Sequence, residues 1–161
     1  MYEMFEGCQS LIELDVSNFD TYNVTNMNSM FLGCKSLKKL DLSSFNTSKV
    51  TNMAYMFNQC NSLTDLNVSS FDTSNVVYIY SMFVDCESLK KLDLSNFDTS
   101  NVIDMEYMFA GCKSLKELDI SNFIIHNNTK TKEMLDNCGQ LKHNIKVKKL
   151  DKCIDMLTES L

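Results

Sequence analysis

Apolar and polar residues along this chain recur with a step of 26 positions. Phe5, Phe31, Phe57, Phe83 and Phe109 keep that step, as do Cys8, Cys34, Cys60, Cys86, Cys112 and Cys138. Three leucine-rich rows follow, beginning at Leu11, Leu14 and Val16, and a second aromatic row runs through Phe19, Phe45, Phe71, Phe97 and Phe123. Within one unit, Leu40 and Leu42 alternate with Asp41, the period of a strand with one buried face. Asn46-Thr47-Ser48 supplies side-chain oxygens suited to a turn and to the cap of a following helix. Val50, Met53, Met56, Phe57 and Cys60 then recur at three- and four-residue steps, which predicts a short helix with one buried face. Gly7, Gly33 and Gly111 suit a left-handed exit from it, with Gln59 and Asp85 at the same position in other units. One strand and one helix cannot bury their apolar faces alone, so the predicted fold is α/β: units stacked about 4.8 Å apart, strands in one continuous parallel sheet, short helices on the other side.

The pattern predicts repeats over 1–123, starting partway through a unit, and a degenerate last repeat with a C-terminal cap over 124–161. Ile124-Ile125-His126 breaks the motif, while Met134, Cys138 and Leu141 stay in register. Leu150, Cys153, Ile154 and Leu157 have the spacing of an amphipathic capping helix. No such element precedes the first unit, so Met4, Phe5 and Leu11 are expected at an open end. Met1 holds the repeat position of Met27, Met53 and Met105, which suggests a segment of a longer protein.

The run from Met30 to Ser48, with its Met-Phe-x-x-Cys and Phe-x-Thr-Ser elements, resembles repeats of the BspA-like leucine-rich-repeat surface proteins. It is similar in particular to the variant rich in Met-Phe-x-x-Cys and Phe-Asp-Thr-Ser that is found in surface lipoproteins of mycoplasmas and in bacterial wall-associated proteins, over residues 1 to about 123. The resemblance implies a right-handed leucine-rich-repeat solenoid displayed at a cell surface or secreted, with adhesion or interaction roles. It carries over no catalytic residue.

Charge narrows the partners. With 21 acidic and 15 basic residues the net charge is -6, which disfavours nucleic acid, and every basic residue is lysine, so no guanidinium fork is available for phosphates. No apolar run is long enough to span a membrane, and the chain begins without the basic and apolar regions of a signal peptide. The cysteines lie one unit apart with parallel Cβ vectors about 5 Å from one another, which favours buried reduced thiols over disulfides, whose Cβ atoms sit about 3.5–4.5 Å apart. Zinc is disfavoured too: there is no Cys-x-x-Cys pair, and His126 and His143 lie in the tail.

Candidate function falls to the outward rows beside the strand. Asp15, Asp41, Asn67, Asp93 and Asp119 form one, expected to be held by turn hydrogen bonds and lysine pairing, since each would give a calcium ion a single ligand. Glu13, Lys39, Asp65, Lys91 and Glu117 alternate in sign, which would support register between units. Ile12, Lys38, Thr64, Lys90 and Lys116 vary most and are the candidate specificity row. The phenylalanine and methionine rows are core, and Tyr55, Tyr80 and Tyr107 are expected near the convex surface. No nucleophile, base and orienting group can be assembled, so neither an enzyme nor a cofactor or metal is expected. The expected function is a non-catalytic module that binds a protein or glycan ligand. The alternative is a structural spacer or self-assembly segment of a larger protein, associating end to end through its uncapped first coil.

Overall fold

The alternation of inward leucine and outward charge yields a short strand in each unit. In the computed structural model, which describes residues 1–141 and 145–147, these are β1 (Lys39–Asp41), β2 (Asp65–Asn67), β3 (Lys91–Asp93), β4 (Glu117–Ile120) and β5 (Ile145–Val147). All pairings are parallel, and Lys39 faces Asp65 as Lys91 faces Glu117, one 26-residue unit apart. The chain therefore returns to the same place once per unit and stacks coil on coil. The last step is longer by one residue: Leu118 faces Ile145.

Two expectations about this architecture fail. The strands do not form one continuous sheet; β1 pairs with β2, and β3, β4 and β5 make a separate sheet. At the interruption the Asn96 side-chain amide donates to the carbonyls of Val68 and Phe71 at 3.2 and 2.9 Å, a side-chain link where strand pairing lapses.

The second failure is the α/β class itself: there is no helix among the described residues. The segment from Met53 to Cys60 is a chain of tight turns. Its N–H groups divide their bonding. Those of Met53, Tyr55, Phe57 and Gln59 donate to Tyr78, Tyr80, Met82 and Val84 of the next coil at 2.8–3.1 Å, while those of Met56, Asn58 and Cys60 close turns onto carbonyls three residues back. Left-handed residues at Tyr55 (φ 59°) and Gln59 (φ 58°) make the alternation possible, and the same two positions are left-handed in other coils, from Ser29 and Gly33 to Tyr107 and Gly111. Helices pack about 8–10 Å apart, whereas paired strands sit about 4.8 Å apart, so a helix in each coil would splay one side of the stack. A turn ladder has the strand's own spacing, and coil-to-coil hydrogen bonds offset the left-handed residues.

The burial pattern that suggested a helix is nonetheless real, because Val50, Met53, Met56, Phe57 and Cys60 are all fully buried. The rings of Phe31, Phe57, Phe83 and Phe109 stack in a column at 5.4–5.8 Å, with planes within 13° of parallel. Phe45, Phe71, Phe97 and Phe123 fill the other end of the core. Met4 is 51% exposed at the first coil, where Phe5 and Leu11 are only partly covered. The capping helix expected over Leu150–Leu161 lies outside the described residues, as do Cys153 and His143. No helix among the described residues is long and apolar enough to cross a membrane.

Candidate binding face

The strand pleat decides which candidate residues meet solvent. Lys39 and Asp41 flank the buried Leu40, and Lys91 and Asp93 flank the buried Leu92. Glu13, Asp15, Asp65 and Glu117 are exposed likewise, whereas Asn67 and Asp119 are half-buried. The specificity row, Ile12, Lys38, Thr64, Lys90 and Lys116, is exposed in every coil. Because the sheet is interrupted, these residues form two groups. Lys91, Asp93, Glu117 and Asp119 come together with Ile145 and Lys146 around a groove of about 530 Å³ over β3 to β5. Lys39, Asp41, Asp65 and Asn67 belong to the first sheet. A cleft of about 190 Å³ lies between them, with Asn67 and Ser69 on one side and Asp93, Ser95 and Asn96 on the other.

The aspartate row is occupied by the frame. Asp15, Asp41 and Asp93 accept the backbone N–H of the serine two residues on at 2.9 Å, and Asn67 and Asp119 do so at 3.1 Å. Ser17 and Ser43, through backbone N–H and hydroxyl, hold the Asp15 and Asp41 carboxyls below the usual carboxylate range. Asn67 also donates to Asp41 at 3.0 Å, linking the coils where two carboxylates would have repelled. In the sign-alternating row, Lys91 and Glu117 make an ion pair of 2.7 Å, and Lys39 faces Asp65 in register without one. Both partners of the formed pair are exposed, so it contributes about 0–1 kcal/mol. Lys146 pairs with Asp119 at 3.2 Å, a contact the 26-residue step conceals because the last coil is one residue longer.

Two further sets of residues hold the face in place. Asp72 and Asp98 accept the hydroxyl and backbone N–H of Ser74 and Ser100, which lowers both carboxyls below their ordinary value. A depressed folded-state pKa contributes stability that is complete above the unfolded value, near 4, and is lost as pH falls through the lower folded value. With four such carboxyls in successive coils, the melting temperature should hold from pH 7 to about 5 and drop below pH 4; a flat profile down to pH 3 would contradict the turn assignment.

The other set is the threonine row, which sequence reasoning placed in a turn and the cap of a following helix. Thr21, Thr47, Thr73 and Thr99 are buried, and their hydroxyls donate to the next coil's backbone carbonyls at 2.9–3.0 Å. The hydroxyls of Thr21, Thr47 and Thr99 also accept N–H groups at 2.7–2.8 Å, from Asn46, Asp72 and Ile124. The only sequence signal was the 26-residue recurrence of threonine, which a capping role explained as readily.

The six cysteines among the described residues are free and recur once per coil. Sγ of Cys34, Cys60, Cys86, Cys112 and Cys138 donates to a phenylalanine carbonyl of the preceding coil at 3.1–3.3 Å. Burial pushes the thiols of Cys34 and Cys138 up to about 11, and those of Cys60, Cys86 and Cys112 further. Thiolate is the reactive form. Iodoacetamide at pH 7.5 followed by peptide mapping should therefore label exposed Cys8 at least tenfold faster than these five, and equal labelling would show that the five are open to solvent.

The family model described as "Mycoplasma protein of unknown function, DUF285" matches residues 1–97 and 65–159. No curated protein matches the chain. Among solved structures, that of a leucine rich cell surface protein from Faecalibacterium prausnitzii A2-165 is similar at 15% identity, over 96% of this chain and 70% of that one, with a TM-score of 0.25. A likeness that slight bears on neither fold nor role.

Proposed function

The chain belongs to the Mycoplasma DUF285 family, and from that premise we propose that it is a non-catalytic interaction module, displayed at a cell surface or secreted, which binds a protein or glycan through its strand face. The carrying observation is that Ile12, Lys38, Thr64, Lys90 and Lys116 are all exposed while the neighbouring aspartates are engaged in turns. Thr64 donates its hydroxyl to the Lys38 carbonyl at 3.1 Å, but the other side chains of this row are not used by the frame and can vary without cost to the fold, and a regular scaffold presenting a variable row is suited to recognition. The repeats' resemblance to BspA-like surface proteins supports display and an adhesive role.

The experiment is charge reversal. Lys38→Glu, Lys90→Glu and Lys116→Glu together should abolish capture on an array of purified extracellular-matrix proteins and host-type glycans, with the melting temperature unchanged. Unchanged capture would remove the strand face from consideration.

A second reading, a spacer or self-assembly unit, is favoured by the apolar exposure of the first coil, where Tyr2, Met4 and Ile12 are 51–56% exposed. Stacking of a second copy there would cover them. Light scattering at rising concentration decides: self-association that Met4→Lys abolishes supports this reading, and a strictly monomeric chain eliminates it.

A further inference from the structure

A third recess, of about 600 Å³, lies along the turn ladder and away from the strands. It runs across successive coils, from Glu3 and Glu6 through Asn28 to Asn52, Asn58 and Gln59, and ends at Tyr80. At about 4.8 Å per coil this is a furrow long enough for an extended oligomer rather than one small molecule. Tyr55 and Tyr80 meet edge to face at its wall, 5.0 Å between centroids at 88°, and Tyr78 stands edge-on to Tyr80 at 6.4 Å with 39% of its surface exposed.

The chemistry of this furrow restricts what it can hold. Most of its backbone donors are engaged: the N–H groups of Ser29, Tyr55 and Gln59 bond the next coil at 2.8–3.1 Å and those of Leu32 and Asn58 close turns, so no run of free donors is left for a peptide strand to pair with. Among the described residues none that lines it is a cation, and Glu3 and Glu6 would repel phosphates or acidic sugars. Four amide side chains line it: the Asn28 and Asn52 oxygens already accept from Ser29 and Ala54 at 2.8 and 2.9 Å, which leaves their NH2 groups to donate, while Asn58 and Gln59 can donate and accept, and aromatic rings offer apolar faces. Asn58 is the most telling of these. It is 92% buried, 8% of its surface remaining exposed, and its side chain bonds to no other described residue. No fully enclosed side-chain polar atom lacks a partner among the described residues, so the Asn58 amide reaches solvent at the furrow, where a ligand hydroxyl takes the place of water.

We infer that the turn-side furrow is a binding site for a neutral oligosaccharide, read by the amides of Asn58, Asn52 and Gln59 and packed against the rings of Tyr55 and Tyr80. Sugar hydroxyls donate and accept at once, as amides do, and the C–H face of a pyranose ring offers an apolar surface to tyrosine. A buried amide left without a hydroxyl partner disfavours ligands that lack them. This site is separate from the strand face and does not depend on its ligand.

The chain has no tryptophan and six tyrosines, of which Tyr2, Tyr55 and Tyr80 line the furrow, so a change in tyrosine emission that Tyr80→Ala removes reports on the furrow. Neutral hexasaccharides of glucose, N-acetylglucosamine and galactose, with oligolysine as the comparison, would be titrated against the full chain by fluorescence and calorimetry. At least one neutral hexasaccharide should bind at sub-millimolar concentration, and Tyr80→Ala should weaken it tenfold or more. Tyr22→Ala, whose ring lies under Lys49 elsewhere on the surface, should not. Because Tyr80 is half-buried, Gln59→Gly serves as the second variant: position 59 is left-handed and glycine stands there in other coils, so the fold is retained while one amide is lost, and binding should fall at least threefold. Failure of every neutral sugar to bind, binding that both variants leave intact, or preference for oligolysine would each overturn the assignment. Triple reversal of the lysines on the strand face should leave this binding unchanged, which separates the two sites.

Discussion

Thr47→Val should destabilise the protein by about 2–4 kcal/mol, although valine has almost the shape of threonine. The Thr47 hydroxyl sits at 1% exposure between coils, donating to the Asp72 carbonyl at 2.9 Å and accepting the Asp72 N–H at 2.8 Å. Valine fills the volume and leaves two backbone groups of the next coil without a partner, each costing about 1–3 kcal/mol. Thr47→Ser retains the hydroxyl and loses one methyl, so its cost should stay near about 1 kcal/mol. Urea unfolding of both variants checks the claim, and its sign is unusual, because for a turn or cap residue on the surface the order would be reversed or flat. If Thr47→Val unfolds at the wild-type midpoint, the inter-coil clip contributes nothing to stability.

Phe83→Ala should cost about 3–5 kcal/mol, the range for a large buried ring truncated inside a close-packed core. Phe83 is fully buried and stacked between Phe57 at 5.4 Å and Phe109 at 5.7 Å, so its removal opens a gap on both sides of one coil. Stacked coils touch only their neighbours, and a void in the middle weakens the coupling between the two halves. The unfolding curve should accordingly lose cooperativity as well as move, with a lower slope in urea. Phe83→Leu, which keeps most of the volume, should cost about 1.5 kcal/mol and keep one transition. Equal effects from the two substitutions would mean that the column matters for its apolar character and not for its filling.

The two variants mark how far the chain could be read in advance. Phe83 announces its burial, since an apolar ring at a fixed step beside other apolar rows has nowhere to go but the core. Thr47 announces nothing, because one hydroxyl serves a cap, a turn or a coil-to-coil clip, and only the position of the neighbouring backbone selects among them. The same holds for Asp41 and Asp93, whose turn bonds to Ser43 and Ser95 were legible because the partner lies two residues away. Lys146 and Asp119 were not, since one additional residue in the last coil carries their contact out of register. The furrow of Tyr55, Asn58 and Tyr80 was half legible: the tyrosines stood out near the convex surface, whereas the amides became visible only once four coils lay side by side.

The sequence by itself determined the 26-residue period, the rows that are buried and the parallel stacking of coils, because burial depends on which residues are apolar and how often they recur. Whether Val50 to Cys60 is a helix was beyond its reach. Apolar steps of three and four residues describe one face of a helix and equally a run of tight turns, so the pattern is the same for both. The tertiary structure decided for turns, since β1 and β2 hold their coils at the strand spacing and only a backbone that also bonds coil to coil can keep that spacing on the far side.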